Sequence, residues 1–217
     1  MPPIVCAFPT PPPNVPRNAV HTDYIQEITG YAGLETTPVE PARLADALPT
    51  GRILMTVGDG PVPDSVADWM ANGGVWIAVG GTCGREDLFG VRKLAPDFVL
   101  WGAPSRNLGE GWIQAQANNP LSPAFPIPLH HYGGIAVENV DAESLASCLD
   151  AHGTPTGYAG VVRKQVGNGW ALLIAPDVTG AVVRIQMGNP IHRDGIPAPD
   201  GTAPVGDGVL KSDDGIA

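Results

Sequence analysis

The sequence predicts an α/β fold: a mainly parallel, doubly wound sheet that finishes in an antiparallel C-terminal hairpin. Three observations carry this expectation. Short apolar runs alternate with stretches of helical periodicity from Ile4 to Val79, and strands alternating with helices imply parallel pairing through right-handed crossovers. Glycine, proline, asparagine and aspartate stand at the joints, where the backbone must turn. Late in the chain two apolar runs flank Gly167-Asn168-Gly169, which reads as a hairpin.

Ile4 to Phe8 is an apolar run ended by Pro9, so it is a first strand. Pro11-Pro12-Pro13 and Pro16 cannot lie inside a helix, and a long loop follows. Between Asn18 and Tyr31 the residues Val20, Tyr24, Ile25 and Ile28 recur at helical spacing, with Gly30 and Gly33 at the end. Leu34 to Val39 is the second strand. Pro41 to Leu48 fits a short helix with proline in its first turn, and Arg52 to Val57 is a third, buried strand. Pro63-Asp64-Ser65 opens a helix that buries Val66, Trp69 and Met70 and closes at Asn72-Gly73-Gly74, before a fourth strand from Val75 to Val79.

The second half changes character. Leu88-Phe89-Gly90 and Val99 to Gln116 read as irregular or antiparallel additions, and the proline-rich stretch Asn119 to Pro128 as extended loop. Ile135 to Val137 and Leu145 to Leu149 are strand candidates. Tyr158 to Val166 pairs with Trp170 to Ala175, and Asp177 caps a helix from Val178 to Met187. From Asn189 the composition is Pro, Gly and Asp, that of a linker. Its Asp-Gly pairs lack a regular carboxylate pattern and are solvated turns rather than calcium loops. Residues 1–188 are thus one domain, and 189–217 a linker or tail leading to a further domain.

Composition narrows the function. With 12 Lys+Arg against 22 Asp+Glu, a net charge of −10 repels nucleic acid and anionic lipid. No segment approaches the roughly 20 apolar residues of a membrane span, and the N-terminus lacks a basic region followed by an apolar run. Neither nucleic acid nor membrane is an expected partner, and a cytoplasmic location is. The 3 cysteines, Cys6, Cys83 and Cys148, are odd in number and far apart, unlike a disulfide framework or zinc site.

The stretch Gly80-Gly81-Thr82-Cys83-Gly84-Arg85 holds the strongest chemical signal. A cysteine where a buried strand opens into a glycine-rich turn is how a nucleophile elbow begins. Three segments together resemble the class I glutamine amidotransferase-like superfamily, and within it the ThuA-like and β-galactosidase trimerisation-type domains. They are Ile53 to Val57 with Gly58-Asp59-Gly60, the run Trp69 to Gly81 with Leu88-Phe89-Gly90, and Val161 to Val178. The resemblance covers residues 3 to 188 and implies a flavodoxin-like three-layer sandwich. It does not imply amidotransfer, because the superfamily includes carbohydrate-associated and oligomer-forming modules that have lost the chemistry.

The family's elbow is usually Gly-x-Cys-x-Gly, followed late in the chain by His-x-Glu. Here Arg85 stands in place of the second glycine, and no His-x-Glu occurs. His130 or His131 with Glu138, or else His152, are the nearest substitutes, and none has the spacing. Cys83 is therefore expected to be a turn cysteine, in a non-catalytic domain that serves assembly or ligand positioning in a longer, carbohydrate-active protein. The rival expectation is a cysteine hydrolase or amidase using Cys83 with His130 or His131. A third is a sugar-binding domain in which Asp59, Gly81, Thr82 and Arg85 line the strand ends and Trp101 and Trp112 offer apolar faces to a ring. Two adjacent histidines without a further ligand make no metal site, and no cofactor is expected. The expected partner is a second copy, a neighbouring domain, or a carbohydrate or other small ligand.

Overall fold

The computed structural model describes residues 4–7, 24–94, 99–100, 103–104, 108–119, 121, 127–179 and 181. The linker from Asn189, Trp101 and most of the expected last helix lie outside the described residues. Four strands come first: β1 (Ile4–Ala7), β2 (Thr36–Val39), β3 (Ile53–Val57) and β4 (Val75–Val79). Between and after them run α1 (Tyr24–Tyr31), α2 (Leu44–Ala47), α3 (Val66–Ala71) and α4 (Glu86–Phe89). Proline splits the expected helix at Pro41: α2 is a single turn between the 3-10 segments Pro41–Arg43 and Leu48–Thr50. Pro38 sits in β2, an edge strand, where a missing N–H costs no ladder bond on its open side.

The remaining strands are β5 (Val91–Lys93), β6 (Val99–Leu100), β7 (Ala103–Pro104), β8 (Glu110–Ala115), β9 (Leu129–Tyr132), β10 (Val137–Asn139), β11 (Glu143–Asp150), β12 (Pro155–Val166) and β13 (Gly169–Ile174). One nine-stranded sheet runs β2-β1-β3-β4-β13-β12-β11-β8-β9, while β5 pairs with β10 and β6 with β7 in two small ribbons. The hairpin around Gly167-Asn168-Gly169 forms as expected, in register Val166↔Gly169 and Val161↔Ile174.

The balance of the sheet differs from the expectation of a mainly parallel one. Pairing is parallel from β2 through β13, then antiparallel from β13 to β9, so the antiparallel part reaches well beyond a terminal hairpin. The cause is local. Bulges along β11 shift its register against β12 at Ser144, Ala146 and Ser147, placing buried neighbours side by side and hiding the alternation that marks a strand. Within the stretch expected to be irregular or antiparallel, Glu110–Ala115 is a regular antiparallel strand, while Leu88 lies in a helical turn.

The parallel half is buried on both faces. Leu54, Trp76, Ala78, Ala171 and Leu173 point to one side and meet Leu44, Leu48, Val66, Met70 and Phe89 of α2, α3 and α4 and the 3-10 turn. Met55, Val57 and Val79 point to the other and meet Ile25 of α1. This alternation on adjacent strands is why β3 and β4 read as continuous apolar runs. Their carboxyl ends, held rigid by that packing, carry the Cys83 turn. Among the described residues no helix is long and apolar enough to cross a membrane.

Candidate functional site

Two loops meet at the carboxyl ends of β3 and β4. Gly58 N–H donates to Val79 O at 2.8 Å and Gly80 N–H to Ile174 O at 2.8 Å, which carries each strand's ladder into its turn. Gly81 lies so close to the first turn that a Cβ there would meet the Gly58 carbonyl carbon at 2.2 Å. Only glycine lets the two loops touch.

Asp59 then locks them. Its Oδ1 accepts the N–H of Thr82 at 2.8 Å and of Cys83 at 2.9 Å, and its Oδ2 accepts from the Lys93 ammonium on β5. Thr82 is fully buried, and its hydroxyl donates to Glu86 Oε1 at 2.6 Å, tying the turn to α4. Cys83 takes a left-handed backbone, φ 54°, which for a non-glycine residue persists only where neighbours impose it. Here the two bonds to Asp59 impose it. Gly84 follows at φ 72°.

The Cys83 thiol is partly buried and donates to Gly58 O at 3.6 Å. Burial is the main cause that pushes it up from the ordinary thiol value. Hydrogen bonds from Gly60 and Thr56 and the Lys93 charge oppose the rise, and the Asp59 charge adds to it. The site therefore favours the neutral thiol, the weaker nucleophile.

The sequence-predicted residues separate into two groups. Asp59, Gly81, Thr82 and Cys83 come together. Arg85 is next to them in sequence but directs its guanidinium to Asp87, at 3.4 Å, and is not among the groups acting on the thiol. The cation that does act is Lys93, 34 residues from Asp59, for which the sequence offers no local signal.

His130 and His131 are on β9, with four strands between it and β4, each adding ~4.8 Å. Glu138 does not brace either histidine; it pairs with Arg92 across the β5–β10 ribbon, because register places it there. The acid that holds an imidazole is Glu110, whose Oε1 lies 2.9 Å from His130 Nε2. His152 sits exposed in the β11–β12 turn, its N–H donated to Asp150. An acid-braced histidine exists, then, but among the described residues no imidazole is one of the groups that act on Cys83. Among the described residues no three of His, Cys, Asp and Glu converge to hold a metal.

His131 points to the face opposite His130 and is 1% exposed. Among the described residues neither ring nitrogen meets a hydrogen-bond partner in good geometry, and the nearby Gly133 backbone offsets only part of the effect of burial. Burial and the neighbouring His130 push its pKa down to about 4, so it is neutral near pH 7. Gly111, opposite it in register, leaves the room: a Cβ there would stand 3.0 Å from His131 Nε2 and 2.2 Å from Leu149 O.

Asp59 invites a direct test. Asp59→Ala is expected to cost about 1–2 kcal/mol in urea unfolding, the lower part of the range for hydrogen bonds to a charge, because the side chain is 43% exposed. Asp59→Asn keeps the shape but removes the charge that disfavours the thiolate. Cys83 alkylation by iodoacetamide at pH 7 should then rise several-fold; an unchanged rate would show that Asp59 has no hold on the thiol.

No protein-family model matches the chain, and no curated protein does. Solved structures are similar. A β-galactosidase from Rahnella sp. R3 aligns with 83% of this chain at TM-score 0.57 and 13% identity. A cytoplasmic protein of Salmonella typhimurium LT2 aligns with 80% of this chain and 87% of its own, at TM-score 0.57 and 13% identity. A glutamine amidotransferase from Thermotoga maritima aligns with 82% of this chain and 77% of its own, at TM-score 0.53 and 9% identity. The chain spans about 30% of the length of the β-galactosidase. At such identities the likeness is one of fold, an α/β fold that occurs both in a glutamine amidotransferase and within a β-galactosidase.

Proposed function

We propose that residues 1–188 form a non-catalytic domain of the class I glutamine amidotransferase-like type, of the ThuA-like or β-galactosidase trimerisation kind. In this reading the fold is a flavodoxin-like three-layer sandwich. Its work is assembly or ligand positioning in a longer, carbohydrate-active cytoplasmic protein, to which residues 189–217 act as the linker. The partner is a second copy or a neighbouring domain.

The observation that supports this best is the setting of Cys83. A working thiol of this kind needs a base within hydrogen-bond reach and free N–H groups for the developing oxyanion. Among the described residues, the groups acting on Cys83 include no imidazole. Its own N–H and that of Thr82 are taken by a carboxylate, whose charge opposes the thiolate. The likeness to a portion of a β-galactosidase supports a place in a larger carbohydrate-active protein.

One feature favours the rival reading of a cysteine hydrolase using Cys83 with His130 or His131: the left-handed backbone at Cys83, a strained geometry that suits a nucleophile. A single assay separates the two. Purified protein incubated with glutamine is expected to release no ammonia above a Cys83→Ala control. Release that depends on Cys83 and on either histidine would overturn the proposal. Sedimentation velocity across a concentration series tests the assembly role.

A further inference from the structure

The antiparallel half carries a second cluster that the Cys83 turn does not use. On β8, Glu110 and Trp112 project to one face while Gly111 and Ile113 project to the other, where Ile113 joins the core. Across the ladder His130 stands opposite Trp112. Its ring meets the indole edge to face, centroids 5.2 Å apart and planes at 74°, and its Nε2 holds Glu110 Oε1 at 2.9 Å. The indole N–H is fixed on Ala151 O at 3.4 Å. Gln114 continues the row, exposed. A polar outer face is ordinary for an antiparallel sheet. A half-buried tryptophan pinned at its N–H, beside a paired imidazole and carboxylate, is not needed for such a face.

We propose that Trp112, His130 and Glu110 form a binding site for a neutral pyranoside, the ring lying on the indole and a hydroxyl donating to the Glu110 carboxylate that His130 holds in place. This rests on the ligand-positioning reading above and names the ligand class and place. The indole is held in one orientation by its N–H bond and by His130, so little side-chain entropy is lost on stacking. His130 engages one carboxylate oxygen through Nε2 and so orients Glu110, leaving the other oxygen of that partly exposed side chain to accept from a sugar hydroxyl. Glu110 is 31% exposed and His130 15%, so the pair is reachable at its rim while its core is shielded. The chain's charge of −10 disfavours an anionic ligand. A permanent cation would be expected to meet several aromatic faces, and among the described side chains here there is one tryptophan.

The test is saturation-transfer NMR on the whole chain, with methyl β-galactopyranoside and methyl β-mannopyranoside at millimolar concentration and tetramethylammonium as the cationic probe. Transfer to the ring protons of at least one glycoside is expected. It should fall at least tenfold in Trp112→Ala and in Glu110→Gln, persist in part in Trp112→Phe, and be unchanged in Glu35→Gln, an exposed residue outside both sites. Circular dichroism confirms that each variant folds, and Trp112→Phe and Glu110→Gln carry the test if Trp112→Ala does not. No transfer to either glycoside, transfer that survives these substitutions, or transfer to tetramethylammonium alone would overturn the site. Loss of glycoside binding leaves the non-catalytic reading of Cys83 standing, because that reading is decided by ammonia release.

Discussion

Trp76→Ala is expected to lower stability by about 3–5 kcal/mol, the range for deleting a large aromatic side chain from a packed core. Trp76, the second residue of β4, is fully buried. Its ring meets Phe89 of α4 edge to face, centroids 4.8 Å apart, and its Nε1 donates to Thr56 Oγ1 at 3.0 Å. The substitution therefore opens a cavity between sheet and helix and also strips a buried hydroxyl of its donor. Urea unfolding should show a lower midpoint with an unchanged slope. A loss below about 1 kcal/mol would mean that this layer is not packed as described. The effect reaches the site, because the Thr56 hydroxyl is one of the groups that oppose the upward push on the Cys83 thiol. Trp76→Phe should be milder in volume but still leave that hydroxyl without its indole donor.

Acid should destabilise the protein through His131. Its folded pKa lies below the unfolded value, from 6.5 down to about 4, with burial as the first cause. The neutral ring is therefore the form the fold prefers. The stability linked to it is complete above pH 6.5, is lost as pH falls from 6.5 toward 4, and changes no further below that. A depression of this size corresponds to about 3 kcal/mol. Asp150 also contributes at low pH, its carboxyl held below the ordinary value mainly by the Thr154 N–H, but that contribution disappears only in the carboxylate range. The comparison that isolates the histidine is His131→Leu. Urea midpoints measured at pH 7 and pH 4.5 should differ strongly in the parent chain and much less in the variant. Equal differences in the two would place the acid sensitivity elsewhere.

The residues differ in how far their roles could be read in advance. Val75 to Val79 is a strand whose ends are set by Gly74 and Gly80, and both the apolar run and its punctuation are local. The same holds for the hairpin at Gly167-Asn168-Gly169 and for Pro63-Asp64-Ser65 before α3. β11 was legible only in part, because its bulges break the two-residue period. The Cys83 turn was legible as a turn, and Asp59 as a residue beside it. The bonds from Thr82 and Cys83 N–H to Asp59 were not, since they span 23 and 24 residues. Lys93 and Glu110 carried no signal at all. A lone lysine on a short strand and a lone glutamate before a glycine resemble any other surface charge until pairing register sets their neighbours.

By itself the sequence determined the alternation of strands and helices, the glycines at the turns, the position of the cysteine and the repulsion of anionic partners, because each depends on backbone preference, short-range periodicity or summed charge. Tertiary structure alone decided which acid faces which base: Asp59 with Lys93, Glu110 with His130, Glu138 with Arg92. Those pairings follow from strand order and register, and charge–charge contacts a few ångströms long are set by where the sheet brings distant residues, not by their spacing along the chain.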